Sequence, residues 1–332
     1  MARLQQPTVS VIVPTCARLA RLRLALASIR EQSFVDWECW VVNDRRSDAA
    51  AVRALLDEMC DERFHLISTP GGVGPAAGRN AGLAASSGPI VAFLDDDDRW
   101  LPAKLELHVA EHRRFGSPAV VYSQSAHVWE GGLFRPFRDA PGAPPDDLSP
   151  ALLEERFWPG APPAITVSRA CFDAVGAFDV DLPCREDQEL MLRLARFPFR
   201  YVPVLTMVVT EHAAGRLSAD PEGLIRALHR FGSSWGVPEI RQRDWVRQRV
   251  LMYAMIGELD ASLARRIARL HGYGTLARPS GYGWLRWSWW GLRRRPAAAL
   301  RLLGLALGGR AFCRLNRVLH AADPELERVA GS

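Results

Sequence analysis

At 332 residues the chain is long enough for about two domains and a sizeable core, and its 48% hydrophobic and 24% charged residues argue against a disordered or collagen-like polypeptide. No run reaches the roughly 18 apolar residues that a membrane span needs. The N-terminus leads directly into a strand-like segment with no signal peptide in view, and the six cysteines (Cys16, Cys39, Cys60, Cys171, Cys184, Cys313) include no C-x-x-C pair. A reducing, cytoplasmic setting is therefore expected. The net charge of +5 conceals a split: residues 1–221 carry 23 positive and 29 negative side chains, residues 222–332 carry 19 and 8. Two regions with different partners are expected. Lys104 is the one lysine, and no recognition motif accompanies the arginines, so nucleic acid is not an expected partner.

Along the first hundred residues strand and helix patterns alternate. Thr8–Val13 is β-branched and apolar and is expected to stop at Pro14; Leu22, Leu26 and Ile29 follow at helical spacing. Trp37–Val42 predicts a second strand ending in Asn43-Asp44, with Ser47 placed to cap the next helix, which carries Leu55 and Met59. Phe64–Ile67 and Ile90–Leu94 predict two more strands. Such alternation implies βαβ units and a mostly parallel sheet, with ligands beyond the carboxyl ends of its strands. Further on, Val120–Tyr122 reads as a strand, residues 126–138 as a hairpin across Gly131-Gly132, and residues 139–150 as a Pro- and Gly-rich loop. Gln188–Arg196 predicts a helix with Leu190, Met191 and Leu194 inward. After Asp220 the chain turns basic and helical, with an amphipathic pattern from Trp245 to Leu270.

Asp95-Asp96-Asp97-Asp98 at the end of a buried strand is the strongest chemical feature. Four adjacent carboxylates repel one another, and a hard divalent cation, magnesium or manganese, would offset them while bridging a diphosphate. The plainer alternative is a solvated acidic turn ahead of a helix beginning at Pro102. Upstream, Gly71–Gly74 and Gly78-Arg79-Asn80 form a glycine-rich segment that lets backbone approach a ligand, with Arg79 as a charge for phosphate or hydroxyl. It matches neither the dinucleotide fingerprint nor the Walker pattern.

In order, Val9–Thr15, Val41-Val42-Asn43-Asp44, Gly78–Gly82, Phe93–Asp98 and the pair Val175–Asp179 and Arg185–Ala195 resemble the family 2 glycosyltransferases with the GT-A fold. The resemblance covers about residues 7–215. It implies an α/β fold, a mixed, mostly parallel sheet flanked by helices, with a catalytic domain over 1–220 (nucleotide half about 1–100, acceptor half about 101–220) and a basic helical region over 221–332. It implies an inverting, metal-dependent transfer of a sugar from a nucleoside diphosphate, a UDP-sugar first, to an acceptor hydroxyl in glycan biosynthesis. Pro14 and Thr15 then lie at the nucleotide base, Asp44 accepts from uracil, and Arg79, Asp95 and Asp96 contact the donor. Asp97, Asp95 and His212 hold Mn2+ or Mg2+, and Asp187 is the base.

Two departures touch the nucleotide pocket. Cys16-Ala17 stands where many relatives carry Tyr-Asn, and Asp44-Arg45-Arg46-Ser47 where Asp-Gly-Ser is usual, so thymidine or guanosine donors stay open. Trp100 and Trp158 are candidates for stacking in an acceptor cleft or for core packing. A nucleotidyltransferase remains an alternative, using Arg18, Arg21 and Arg23 for a triphosphate, as does a non-catalytic glycan-binding module. Finally, Trp284, Trp287, Trp289 and Trp290 beside Arg293-Arg294-Arg295 suit an anionic lipid–water interface. A lipid-linked acceptor and a peripheral place on the inner membrane face follow as expectations, with a helical cap on the catalytic domain as the alternative.

Overall fold

The computed structural model describes residues 6–129, 137–139, 141–154, 156–211, 221–237 and 242. The chain divides into two compact units, Met1–Ala214 and Gly215–Ser332. In the first unit β1 (Val9–Thr15), α1 (Leu19–Arg30), β2 (Trp37–Asn43), α2 (Ala49–Met59), β3 (Phe64–Ser68), α3 (Gly74–Ala85) and β4 (Ile90–Phe93) alternate as the hydrophobic pattern predicts. There follow β5 (Arg99–Trp100), α4 (Lys104–Phe115), β6 (Val120–Trp129), β7 (Phe137–Asp139), α5 (Leu148–Leu153), β8 (Ile165–Ser168), α6 (Arg169–Val175), α7 (Glu186–Leu194) and β9 (Phe199–Glu211). The second unit contributes α8 (Pro221–Ser234), which buries Ala227, Leu228 and Phe231. The amphipathic pattern from Trp245 to Leu270 and the tryptophan–arginine segment lie outside the described residues.

The sheet runs β3-β2-β1-β4-β8-β6-β9-β5, with β7 on β6. β3, β2, β1 and β4 are parallel, and Val9, Val11, Ile12, Val13, Val91, Ala92 and Phe93 are wholly buried, as strands covered on both faces require. β8 then enters antiparallel between β4 and β6. Because β2 and β3 go to one side of β1 and β4 to the other, a crevice opens where β1 and β4 end, the switch point at which ligands bind in such sheets.

Several local expectations are corrected. β1 continues through Pro14 and Thr15, since proline's missing N–H is tolerated at the end of a ladder. Ser47 does not cap α2: it sits inside a 3-10 turn, Arg46–Asp48, with its hydroxyl on the Asp48 carboxylate (2.9 Å). The helix after the acidic run begins at Lys104, not Pro102. The strands of the 126–138 hairpin pair antiparallel, Ala126 opposite Arg138, and the last residues of the expected 139–150 loop enter α5.

The glycines of α3 have a packing cause. A Cβ on Gly82 would lie 2.4 Å from Ile12 Cγ2, and one on Gly78 3.5 Å from Pro14 Cβ. The helix lies directly on β1, which brings Arg79 to the crevice.

Candidate active site

Four consecutive carboxylates face four ways at the crevice. The Asp98 N–H donates to the Asp95 carbonyl (3.1 Å) and closes the turn, while the Asp98 carboxylate accepts from the Thr210 N–H on β9 (3.0 Å). Asp96 points inward: it accepts from the Thr15 hydroxyl (2.7 Å) and the Cys16 N–H (3.4 Å), and lies 3.3 Å from Arg18 Nη1. Burial pushes its carboxyl up to about 6, opposed by Arg18 and Thr15 and reinforced by Asp97 and Asp95. Asp97 points outward and accepts from Arg18. Asp95 accepts from Arg79 Nη2 (2.8 Å).

Arg79 joins the two halves of the site. Its second amino group donates to Glu186 Oε1 (2.8 Å) in the first turn of α7, and its guanidinium lies 5.4 Å from the Phe178 ring. The Asn80 side chain reinforces this seam, donating to the Phe178 carbonyl and accepting from the Phe178 N–H (both 2.9 Å). The start of α7 and the Phe178 segment, about a hundred residues further along the chain, are thus tied to α3 by its side chains. Arg185, in the left-handed region at φ 65°, turns the chain sharply into α7 and delivers Glu186 and Asp187 at the helix N-terminus. Burial and the adjacent Glu186 carboxylate raise the half-buried Asp187 to about 6, with Arg79 opposing.

Asp44 is committed to its own backbone surroundings. Its carboxylate accepts from the Thr69 hydroxyl (2.6 Å) and the Val73 and Gly74 N–H groups (3.0 and 2.9 Å). Gly71, Gly72 and Gly74 take φ of 101°, 72° and 83°, a region open to glycine without strain, and so wrap the loop around Asp44. The backbone cradle expected for a ligand is occupied by a side chain of the protein itself.

Pro14, Thr15, Arg79, Asp95, Asp96, Asp97 and, through Glu186, Asp187 therefore gather at the crevice; Asp44 sits beside it in the glycine loop. His212 lies outside the described residues. Trp100 is core: it is 3% exposed and its indole N–H donates to the Pro163 carbonyl (3.0 Å). Trp158 is half-buried. Sequence reading overlooked the acidic turn as Arg18's target and Glu186 as Arg79's partner. The only signal was the unbalanced charge of the turn, which demands nearby cations without saying which. Arg23, grouped with Arg18 as a triphosphate loop, pairs instead with Glu58 (2.6 Å).

Asp95 and Asp97 offer hard oxygens at the crevice, and the Arg18 guanidinium already stands there as a cation. These residues fit a hard divalent ion. Among the described residues no group of three His, Cys, Asp or Glu side chains is placed to hold a metal ion, so an ion here would need water or phosphate oxygens as its remaining ligands.

An open sheet with an acidic turn, an arginine and a helix-borne carboxylate at its switch point is the GT-A architecture of nucleotide-sugar transferases. Residues 10–161 match the family model described as glycosyl transferase family 2, so that stretch is similar to the members of that family. It is 33% identical over 102 residues to the Escherichia coli UDP-Glc:alpha-D-GlcNAc-diphosphoundecaprenol beta-1,3-glucosyltransferase WfgD, covering 31% of this chain and 40% of that protein. It is 24% identical to the putative colanic acid biosynthesis glycosyl transferase WcaA of E. coli K12, over 67% of this chain and 80% of the relative. Among solved structures, S. aureus TarS 1-349 in complex with UDP-GlcNAc superposes with a TM-score of 0.57 at 15% identity, over 90% of this chain and 84% of that one. The mannosyltransferase PcManGT from Pyrobaculum calidifontis, in complex with GDP-Man and Mn2+, gives 0.52 at 18% identity, over 90% and 88%. At these identities the structures speak for the fold.

Proposed function

We propose that the protein transfers a glycosyl group from a nucleoside-diphosphate sugar to an acceptor hydroxyl with inversion. Asp187 takes the acceptor's proton as its oxygen attacks the anomeric carbon from the face opposite the diphosphate. The new carbon–oxygen bond forms as the bond to the diphosphate breaks, so no covalent enzyme intermediate is needed. Asp97 and Asp95 are the residues that would hold Mn2+ or Mg2+, and His212 the expected third. A divalent ion there supplies positive charge for the departing diphosphate. Arg79 orients Asp95 on one side and Glu186, beside Asp187, on the other. That bridge is the observation that carries the reading.

The base of the donor is uridine, as in the TarS complex with UDP-GlcNAc, guanosine, as in the PcManGT complex with GDP-Man, or thymidine. With both Asp44 carboxylate oxygens already accepting from its own loop, recognition of a base N–H falls to its remaining lone pairs. A lipid-linked acceptor is the reading supported by the diphosphoundecaprenol substrate in WfgD's name and by the tryptophan–arginine segment, and surface-polysaccharide assembly is the corresponding setting. Among the described residues no helix is long and apolar enough to cross a membrane; the tryptophan–arginine segment is the feature proposed to meet the membrane, lying in its surface. Co-sedimentation with anionic liposomes at low salt, lost on deletion of residues 281–332, checks that part.

Asp187→Asn is expected to keep donor affinity and lose at least ~10² in transfer rate. Transfer near the wild-type rate would remove Asp187 from the mechanism.

A further inference from the structure

We infer that Arg18 is a positioning residue, a resident counter-cation of Asp96 and Asp97 in the acidic turn: it leaves Asp97 when a divalent ion binds there, and the diphosphate of the donor draws it off. The inference rests on the reading proposed above.

The local chain fixes the backbone of Arg18 and leaves its side chain to move. Ala17 adopts φ 61°, a left-handed conformation uncommon for a residue with a Cβ, which bends the chain sharply out of β1. The Arg18 carbonyl then accepts from the Arg21 and Leu22 N–H groups (3.0 and 2.9 Å), starting α1. From that fixed point the guanidinium reaches both Asp97 and Asp96.

The three side chains grade outward. Asp96 is 5% exposed and anchored by Thr15 and Cys16, Asp97 is 16% exposed, and Arg18 is 28% exposed. Arg79, by contrast, is 6% exposed and held by carboxylates from two separate segments. Between Arg18 and Arg79, Arg18 is the one that can withdraw without opening a buried cavity.

Withdrawal alone would remove the Arg18 charge from two adjacent carboxylates, one of them buried. A divalent ion at Asp97 supplies that replacement charge. A diphosphate supplies the other half of the exchange, an anion for the freed guanidinium. It would lie by the first turn of α1, which carries no acidic side chain and no side-chain cap. Metal and nucleotide should therefore each favour the other's binding, and by the same factor.

The test is Mn2+ binding to the full chain, measured from the free-ion paramagnetic resonance signal, alone and with saturating UDP or GDP. Wild-type protein is expected to bind Mn2+ at least ~10-fold more tightly with diphosphate than without it. Arg18→Met is expected to bind Mn2+ alone at least ~5-fold more tightly than wild type, and to gain less from diphosphate. Arg18→Lys keeps the charge and should stay near wild type. Melting curves check folding, and Arg18→Gln carries the same comparison should Arg18→Met melt early. Mn2+ affinity in Arg18→Met or Arg18→Gln equal to or weaker than wild type without nucleotide overturns the role of Arg18 and leaves the metal reading standing. No Mn2+ binding by any form, with or without diphosphate, overturns the metal reading and this inference with it.

Discussion

Arg79 and Lys104 are both buried cations on helices that pack against the sheet, yet their surroundings are opposite. Arg79 meets Asp95 and Glu186, each at 2.8 Å, and these carboxylates outweigh the desolvation of its guanidinium. Lys104 is fully buried, 3.2 Å from the Ala164 carbonyl, 3.5 Å from His108 Nε2 and 5.4 Å from the Trp100 ring centre. Burial alone draws its ammonium down to about 7. Around it run His108 to Thr166 and Ser123 (both 3.0 Å), His112 to Thr166 (2.9 Å) and Ser123 to Thr206 (2.6 Å), a hydrogen-bonded cluster of neutral partners. Desolvation is thus offset at Arg79 by two carboxylates and left unopposed at Lys104.

The largest effect is expected where that pairing is broken. Arg79→Met leaves Glu186 buried without its cation and releases Asp95. Breaking a buried pair costs about 3–5 kcal/mol; the exposure of the Asp95 side chain, 32%, puts this case near about 3 kcal/mol. A urea melt should show that loss, and transfer activity should fall with it because Asp95 and the α7 start lose their common anchor. A melt unchanged by Arg79→Met would mean the bridge contributes nothing to the fold.

Lys104→Met tests the opposite case. The unfolded lysine holds its proton up to about 10.5, the folded one only to about 7. Between these values the unfolded chain binds more protons, so wild-type stability should climb as pH rises from 7 to 10.5 and lack that contribution below 7. The substitution removes the slope, on the order of a few kcal/mol across the window. Relative to wild type the variant should thus gain most at pH 6 and least near pH 10, where His108 and His112 are neutral in both proteins. Parallel stability curves from pH 6 to 10 would show that Lys104 is not the group responsible.

How much of this was legible in the sequence differs by distance along the chain. β1 to β4 could be read because buried parallel strands are continuous apolar runs, a property of neighbouring residues. The insertion of β8 between β4 and β6 could not, since strand order is set by long-range packing. The resemblance brought Asp95, Asp97, Arg79 and Asp187 forward, but not the ion pairs that arrange them: Arg18 is 79 residues from Asp97, and Arg79 is 107 from Glu186. Lys104, His108 and His112 recur every fourth residue and resemble the solvated stripe of a helix, yet all three are buried beside Leu105 and Val109. Polarity pointed outward there, and the hydrogen-bonding side chains of β6, β8 and β9 are what allow that face to turn inward.

The smallest effect separates the proposed base from its neighbour. Asp187 must be ionised to accept a proton, and its carboxyl stands at about 6. Transfer (kcat/KM) should be level above that pH and fall about tenfold per unit below it. Glu186 is one cause of the raised value and Arg79 opposes it. Glu186→Gln removes the repelling charge and leaves Arg79 with one fewer carboxylate to neutralise, so both changes favour the Asp187 anion. The acid limb should therefore move to lower pH, while the plateau reports any loss of positioning separately. A limb that stays in place in Glu186→Gln would mean that Glu186 does not set the value, which is then left to desolvation or to another group, and an upward shift would mean that losing Glu186 moves Arg79 away from Asp187.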